Sequence, residues 1–388
     1  MDFFAVDIYR MKETVCKFAW SSVTSTMVNT FRPCCRFPFD DKNQYPTTDQ
    51  VLLKGQQALN NAFMTDLRKD MLDGVKRSEC SKCYVEEESG IKSMRQKGNE
   101  ALSSECKSVE FENLEFLEIS LDNLCNLECR MCESTFSTKL QQRDKFLQNN
   151  GFYIQPINVR YKTLEMMDKF DLTHLKAIKM LGGEPLISPN LLKFLDKIPY
   201  PHLVDLFIVT NATTIPNETV LEKFNQFKSV KFTFSIDGIY QFNDYQRVGS
   251  SFESSIGNSL FLSQMYQNNH SIHSVYSSLN IFGLNDSVEW FEKYMTLGLS
   301  IDIVSCNFLS PYNSPTWYAE AILDHISPTN SFKNYVSNLF DQYHNYQPEE
   351  WNKFLKFVKL TDDMYDTDIG KINPLLKNEL DKLTVNVD

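Results

Sequence analysis

The run LEFLEISLDNLCNLECRMCEST, residues 114 to 135, constrains this chain more than any other stretch. Leu114, Phe116, Leu117, Ile119 and Leu121 make the short apolar pattern of a buried strand. The strand empties into Cys125, Cys129 and Cys132, spaced C-x-x-x-C-x-x-C. Thiols at the C-terminal end of a strand stand where α/β barrels place their chemistry. Three thiolates so close together can ligate three corners of a cubane iron-sulfur cluster, whereas a closed cluster or a structural zinc needs a fourth ligand. On the residues alone, a zinc site completed from elsewhere and cysteines that merely pack remain alternatives.

Two downstream motifs agree with the open cluster. Gly182, Gly183, Glu184 and Pro185 end MLGGEP at 180 to 185, directly after a strand-like run, and paired glycines let backbone approach a ligand that side chains would block. FSIDG follows at 234 to 238. With CNLECRMC, these segments make the middle half of the chain resemble the radical S-adenosylmethionine (radical SAM) enzymes. The resemblance implies that Cys125, Cys129 and Cys132 hold a [4Fe-4S] cluster whose fourth iron is chelated by S-adenosylmethionine. It implies that this cofactor is reductively cleaved to methionine and a 5′-deoxyadenosyl radical. The family's aromatic residue before the third cysteine is replaced here by Met131, an adaptable apolar filler.

From residue 111 onward, strand and helix patterns alternate, which predicts a parallel sheet with right-handed crossovers. Six strands are expected, at 114–121, 175–181, 203–210, 230–236, 273–282 and 300–306, separated by helices such as 136–149, 190–197, 218–227, 253–268 and 287–297. Six units are too few to close an eight-stranded barrel. The expected fold is therefore α/β, a partial (β/α)6 TIM-like barrel of the radical SAM type, open on one side to a sizeable substrate. The resemblance further implies that the Gly182–Pro185 segment binds the methionine amino group. Ser235 and Asp237 would then face the cofactor's carboxylate and ribose side, Asn211 would assist the adenosyl group, and Arg247 would pair with the carboxylate. A guanidinium suits that bidentate task.

Ahead of this core, residues 1–110 read as a separate cysteine-rich unit. Cys16, the pair Cys34 and Cys35, and the C-x-x-C of Cys80 and Cys83 flank one amphipathic helix expected over 58–74, with a glycine stop. A C-x-x-C alone fits a redox dithiol or a zinc knuckle equally. In this order the cysteines resemble a SPASM or twitch auxiliary-cluster domain, which implies that Cys16, Cys34, Cys80 and Cys83 hold an auxiliary [4Fe-4S] cluster. The family's glycine ahead of the second ligand falls at Asn29, which tolerates a left-handed turn, and that count selects Cys34 over Cys35. Zinc is the rival occupant and Cys35 the rival ligand. Most relatives carry this domain after the barrel; here it precedes it.

The 388 residues carry ten cysteines and a net charge of −11. A chain this long needs no disulfide framework, so metal or redox use is the better reading of its cysteines. The negative balance disfavours a broad nucleic-acid surface. No apolar run is long enough to span a membrane, and MDFFAVDIYRMKE lacks a signal-peptide stretch, so a cytoplasmic location is expected. Residues 311–388 read as amphipathic helices covering the barrel's side or opening. Cys306, ending the last strand, is a possible hydrogen-atom donor or a core residue, and His174, His202 and His273 lack ligand spacing.

The leading functional expectation is a radical SAM enzyme that abstracts hydrogen from a peptide or protein substrate, served by a flavodoxin or ferredoxin-type donor by family analogy. Chemistry on a nucleoside, sugar or amino acid is the second reading. A non-catalytic iron-sulfur redox or sensing scaffold is the third.

Overall fold

The computed structural model describes residues 13–25, 30–38, 44–88, 90, 92–154, 162–267, 270–304 and 307–383. Asn29 and Cys306 lie outside them. Eight strands form one sheet: β1 (Ser22–Ser25), β2 (Phe31–Arg32), β3 (Phe116–Ser120), β4 (Ala177–Leu181), β5 (Asp205–Thr210), β6 (Ser229–Ser235), β7 (Ser271–Tyr276) and β8 (Gly298–Ile303). Their order is β2-β1-β3-β4-β5-β6-β7-β8. β1 with β3, β3 with β4, β6 with β7 and β7 with β8 run parallel, and β2 is antiparallel to β1. The architecture is an open, mostly parallel α/β sheet.

The expected six strands are all present. Two were not anticipated. β1 reads SVTS, a short hydroxyl-rich segment that local pattern assigns to a loop, yet all four residues are buried once it pairs with β3. The strand expected over 273–282 starts at Ser271 and ends at Tyr276. Asn280 stops it: its side-chain oxygen accepts from the Ser277 N–H, and its amide donates to the carbonyls of Asp237 (2.8 Å) and Val275 (3.1 Å).

The chain divides into two compact units. The first comprises Met1–Asp122, Asn158–Phe207 and Glu218–Val230. Its N-terminal core gathers Phe18, Trp20, Met64, Leu67 and Met71. The helix Ala62–Asp73 presents Met64, Leu67 and Met71 on one side and ends at Gly74 in the left-handed region, φ 85°. Arg68, fully buried on that helix, donates to the carbonyls of Ala19, Leu59 and Val109, which ties three segments to one side chain.

The second unit comprises Asn123–Ile157, Ile208–Asn217 and Lys231–Asp388. Here the helices Thr316–His325, Lys333–Tyr343, Pro348–Tyr365 and Pro374–Leu383 bury Tyr318, Phe340, Trp351, Phe354 and Leu376 against Tyr276, Ile301 and Ile303 of the last two strands. Among the described residues, no helix is long and apolar enough to cross a membrane.

Candidate functional site

The cysteine loop lies in the second unit and is held from several directions. The Glu128 and Arg130 N–H groups donate to the carbonyls of Val248 and Gln246, both at 2.9 Å, and the Cys132 N–H closes a turn onto the Cys129 carbonyl at 3.1 Å. Arg143, buried on the helix Gln141–Asn149, donates to the carbonyls of Cys129 (3.0 Å), Arg130 (3.3 Å) and Cys132 (2.5 Å). Its charge is met by Asp144, whose other oxygen accepts from the Ser134 N–H at 2.8 Å. Ser137 donates to the Leu127 carbonyl at 2.9 Å. The loop is thus fixed through its backbone, leaving its three thiols outside this scaffold.

Cys129 is buried, and burial pushes its thiol up to about 12, with Arg247 opposing the rise. Burial likewise pushes Cys132 up to about 11. The Asn211 amide lies 4.0 Å from the Cys125 sulfur and donates to Asn126 Oδ1 at 3.0 Å, while Asn126 donates to Thr213 Oγ1 at 2.7 Å. Asn211 therefore stands beside the first cysteine.

Asp237 and Arg247 are both buried, with Nε 2.7 Å from Oδ2. The two atoms form a buried ion pair, and neither has a further hydrogen-bond partner among the described residues. Burial opposes the Arg247 charge, but Asp237, Cys129 and Cys132 together raise its pKa above the ordinary arginine value. The other Asp237 oxygen accepts from the Val275 N–H at 2.9 Å. Buried polar atoms without partners can be satisfied by a ligand. Ser235 sits on the partly exposed side of β6 with Thr233, opposite the buried Phe232 and Phe234.

In the first unit, β3 and β4 end in register, Ser120 beside Leu181. Gly182 and Gly183 follow with φ 79° and 49°, a left-handed pair that only glycine adopts readily. Glu184 caps the short turn Pro185–Ile187, its carboxylate accepting from the Leu186 N–H at 3.1 Å.

The first unit also brings together Cys16, Cys34, Cys80 and Cys83, which line one small cavity with Phe18, Arg36, Met94 and Arg95. Cys35 is not in that lining; its sulfur lies 3.7 Å from Met94 Sδ. Burial raises Cys16 well above the ordinary thiol range and pushes Cys34 and Cys80 up to about 12. Neighbouring thiols add to each rise. Among the described residues, no group of three or more His, Cys, Asp or Glu side chains converges closely enough to hold a single metal ion. Adjoining the cavity through Phe18, Arg36 and Met94, a groove of ≈ 840 Å³ runs over the partly exposed face of Phe116, Ala177 and Phe207. Lys97, Lys176, Asp205 and Lys228 also line it, Lys228 paired with Asp205 at 3.0 Å and Lys176 with Glu115 at 3.1 Å.

His273 is taken up by Ser300 (3.0 Å) and Asp302 (3.5 Å), and His174 lies 3.9 Å from Asp171. Sequence reasoning missed Arg143, Asn126 and Arg130. The partners of Asn126 and Arg130 lie far along the chain, and all three look locally like ordinary polar surface residues.

The chain thus sets a loop of three thiols after β3 of an open, mostly parallel α/β sheet. No protein-family model matches the chain. A probable GTP 3′,8-cyclase of Methanocaldococcus jannaschii is 29% identical over 154 residues, 37% of this chain and 46% of the relative, so the match spans less than half of that protein. Among solved structures, native anSMEcpe with bound AdoMet is 18% identical at a TM-score of 0.37, covering 65% of this chain and 61% of its own. Streptococcus suis SuiB bound to S-adenosylmethionine is 15% identical at a TM-score of 0.36, covering 76% and 63%.

Proposed function

We propose that this chain is a radical SAM enzyme. The observation that carries the reading is the loop of Cys125, Cys129 and Cys132, fixed by its backbone and set within electrostatic reach of a buried Asp237–Arg247 pair with unused hydrogen-bonding capacity. The three thiols would hold a [4Fe-4S] cluster. Gly182, Gly183, Glu184, Pro185, Asn211, Ser235, Asp237 and Arg247 would bind S-adenosylmethionine, with the open backbone at the glycine pair meeting its ammonium and Arg247 its carboxylate. When bound, cluster and cofactor supply one-electron cleavage and a 5′-deoxyadenosyl radical. The chain's own part is to exclude water and to orient the cofactor and the substrate carbon that gives up hydrogen.

Cys16, Cys34, Cys80 and Cys83 would hold an auxiliary [4Fe-4S] cluster, with Arg36 and Arg95 offsetting its negative charge. The substrate reading we favour is a peptide or protein side chain. This reading rests on the resemblance of the four-cysteine segment to auxiliary-cluster domains, whose bearers often act on peptides. A nucleotide or other small molecule is the second reading, favoured by the relative named as a GTP cyclase. A flavodoxin or ferredoxin would deliver the electron.

Anaerobic reconstitution tests this. About eight irons per chain, falling to about four in a Cys125, Cys129, Cys132 triple alanine variant, is the expected count for two four-iron clusters. Reduced wild type is expected to release 5′-deoxyadenosine and to change its electron paramagnetic resonance when S-adenosylmethionine is added. Binding without cleavage would leave the scaffold reading, and absence of any cluster would overturn the proposal.

A further inference from the structure

We propose that Asp362, in the C-terminal helices, is a positioning residue for the Cys125–Cys132 loop and acts on it through Arg130; this rests on reading that loop as the cluster site. Arg130 lies between the second and third cysteines with its side chain 0% exposed. A guanidinium that deep is tolerated only if its charge and donors are met. The charge and the two terminal nitrogens are met by residues distant in sequence, while Nε has no hydrogen-bond partner among the described residues. Nη2 donates to Asp362 Oδ1 at 3.1 Å and to Thr367 Oγ1 at 2.6 Å, and Nη1 donates to the Tyr245 carbonyl. The guanidinium stands 3.8 Å from the centre of the Tyr245 ring and 5.3 Å from that of Tyr365.

Asp362 is the hub of this cluster. Its Oδ1 also accepts from the Tyr245 hydroxyl (2.8 Å) and from Thr367 Oγ1 (2.6 Å), and its Oδ2 accepts from the Ile369 N–H (2.8 Å). One turn on, the Tyr365 hydroxyl donates to Glu128 Oε2 at 3.2 Å. The end of the helix Pro348–Tyr365 therefore grips the loop at the side chains of 128 and 130. The backbone of the same two residues is bonded to 248 and 246, on either side of Arg247. The two grips act on opposite edges of one short segment. Together they fix Cys129 and Cys132 relative to Arg247, and the hold on the Arg130 side chain centres on one carboxylate that touches no reacting group.

The test uses the full chain with Asp362→Asn, which keeps the shape and removes the charge, and with Tyr365→Phe, which removes only the bond to Glu128. In the cluster-free protein, amide hydrogen exchange at 126–132 and 245–249 is expected to quicken about tenfold in Asp362→Asn, the scale of weakening a charge-assisted hydrogen bond, while 62–73 is unchanged. Tyr365→Phe is expected to show a smaller change centred on 128, and Thr367→Val, which removes the hydroxyl bridging Arg130 and Asp362, carries the test if Asp362→Asn does not fold. After reconstitution, iron per chain should match wild type, but the resonance change should need several-fold more S-adenosylmethionine. Faster exchange confined to 348–383, or a wild-type S-adenosylmethionine titration in the iron-loaded variant, would overturn the positioning role. A wild-type protein that takes up no cluster would instead sink the enzyme reading, while the exchange result would still decide whether the clamp exists.

Discussion

Arg143→Met is the perturbation that most directly interrogates the cysteine loop. The substitution keeps an apolar stem of similar length and removes every donor. Arg143 is 2% exposed and serves the carbonyls of Cys129, Arg130 and Cys132. Its loss also strands the buried Asp144 carboxylate, which keeps only the Ser134 N–H among its described partners outside the pair. Breaking a buried pair by deleting one partner costs about 3–5 kcal/mol. The three carbonyl bonds belong to the same guanidinium, so their loss is not summed on top. The expected loss is therefore about 3–5 kcal/mol in urea unfolding of the cluster-free chain at fixed salt, set by the orphaned charge. Arg143→Met/Asp144→Asn should recover roughly 1–3 kcal/mol, because it removes the stranded carboxylate. Iron counted after reconstitution should fall by the share assigned to the loop while the N-terminal share persists. A loss under about 1 kcal/mol with full iron retained would refute the idea that this residue holds the loop's backbone.

Replacing Cys34 by serine should remove the iron of the N-terminal site while Cys35→Ser leaves it, because only Cys34 lines the four-thiol cavity; equal iron loss in both variants would reverse that assignment. Gly183→Ala places a side chain at φ 49°, which costs about 1–2 kcal/mol in the left-handed region, and should weaken S-adenosylmethionine binding in a titration while near-ultraviolet dichroism stays native. Burial, aided by Glu112, pushes the Cys106 thiol up to about 12. Since the thiolate is the reactive form, maleimide labelling of Cys106 at pH 8 should run at about one ten-thousandth of its full rate and rise about tenfold per pH unit until near that value. Labelling at pH 8 as fast as an exposed thiol would contradict it.

Sequence periodicity resolved what is local. The strands carrying Ile178 and Met180, Leu206 and Ile208, or Phe232 and Phe234 alternate cleanly because one side faces a core and the other does not. The glycine stop at Gly74 was legible because glycine takes the left-handed backbone there most readily, and the pair Gly182 and Gly183 was legible as open backbone. β1 was not, since Ser22, Thr24 and Ser25 carry no apolar signal and are buried only by their neighbours. The supports of the cysteine loop were equally hidden. Nothing near Arg130 announces Asp362, and Arg143 lies on a helix where a basic residue ordinarily faces water. Residue identity showed which groups could do chemistry; long-range pairing decided what holds them.

The pairing of β1 with β3, Val23 opposite Leu117, has a consequence for how the chain is made. Synthesis delivers Cys16 and β1 well before the strand they lean on, and Cys80 and Cys83 also emerge ahead of it. The same order holds further along: Cys125, Cys129 and Cys132 leave the ribosome before Gln246, Val248 and Asp362, on which their loop depends. The loop of Cys125, Cys129 and Cys132 therefore completes its surroundings only when Asp362 has emerged near the end of synthesis, whereas Cys16 and β1 wait only for β3. On the function proposed above, the Cys125, Cys129 and Cys132 loop would take up its cluster only after most of the chain has been made.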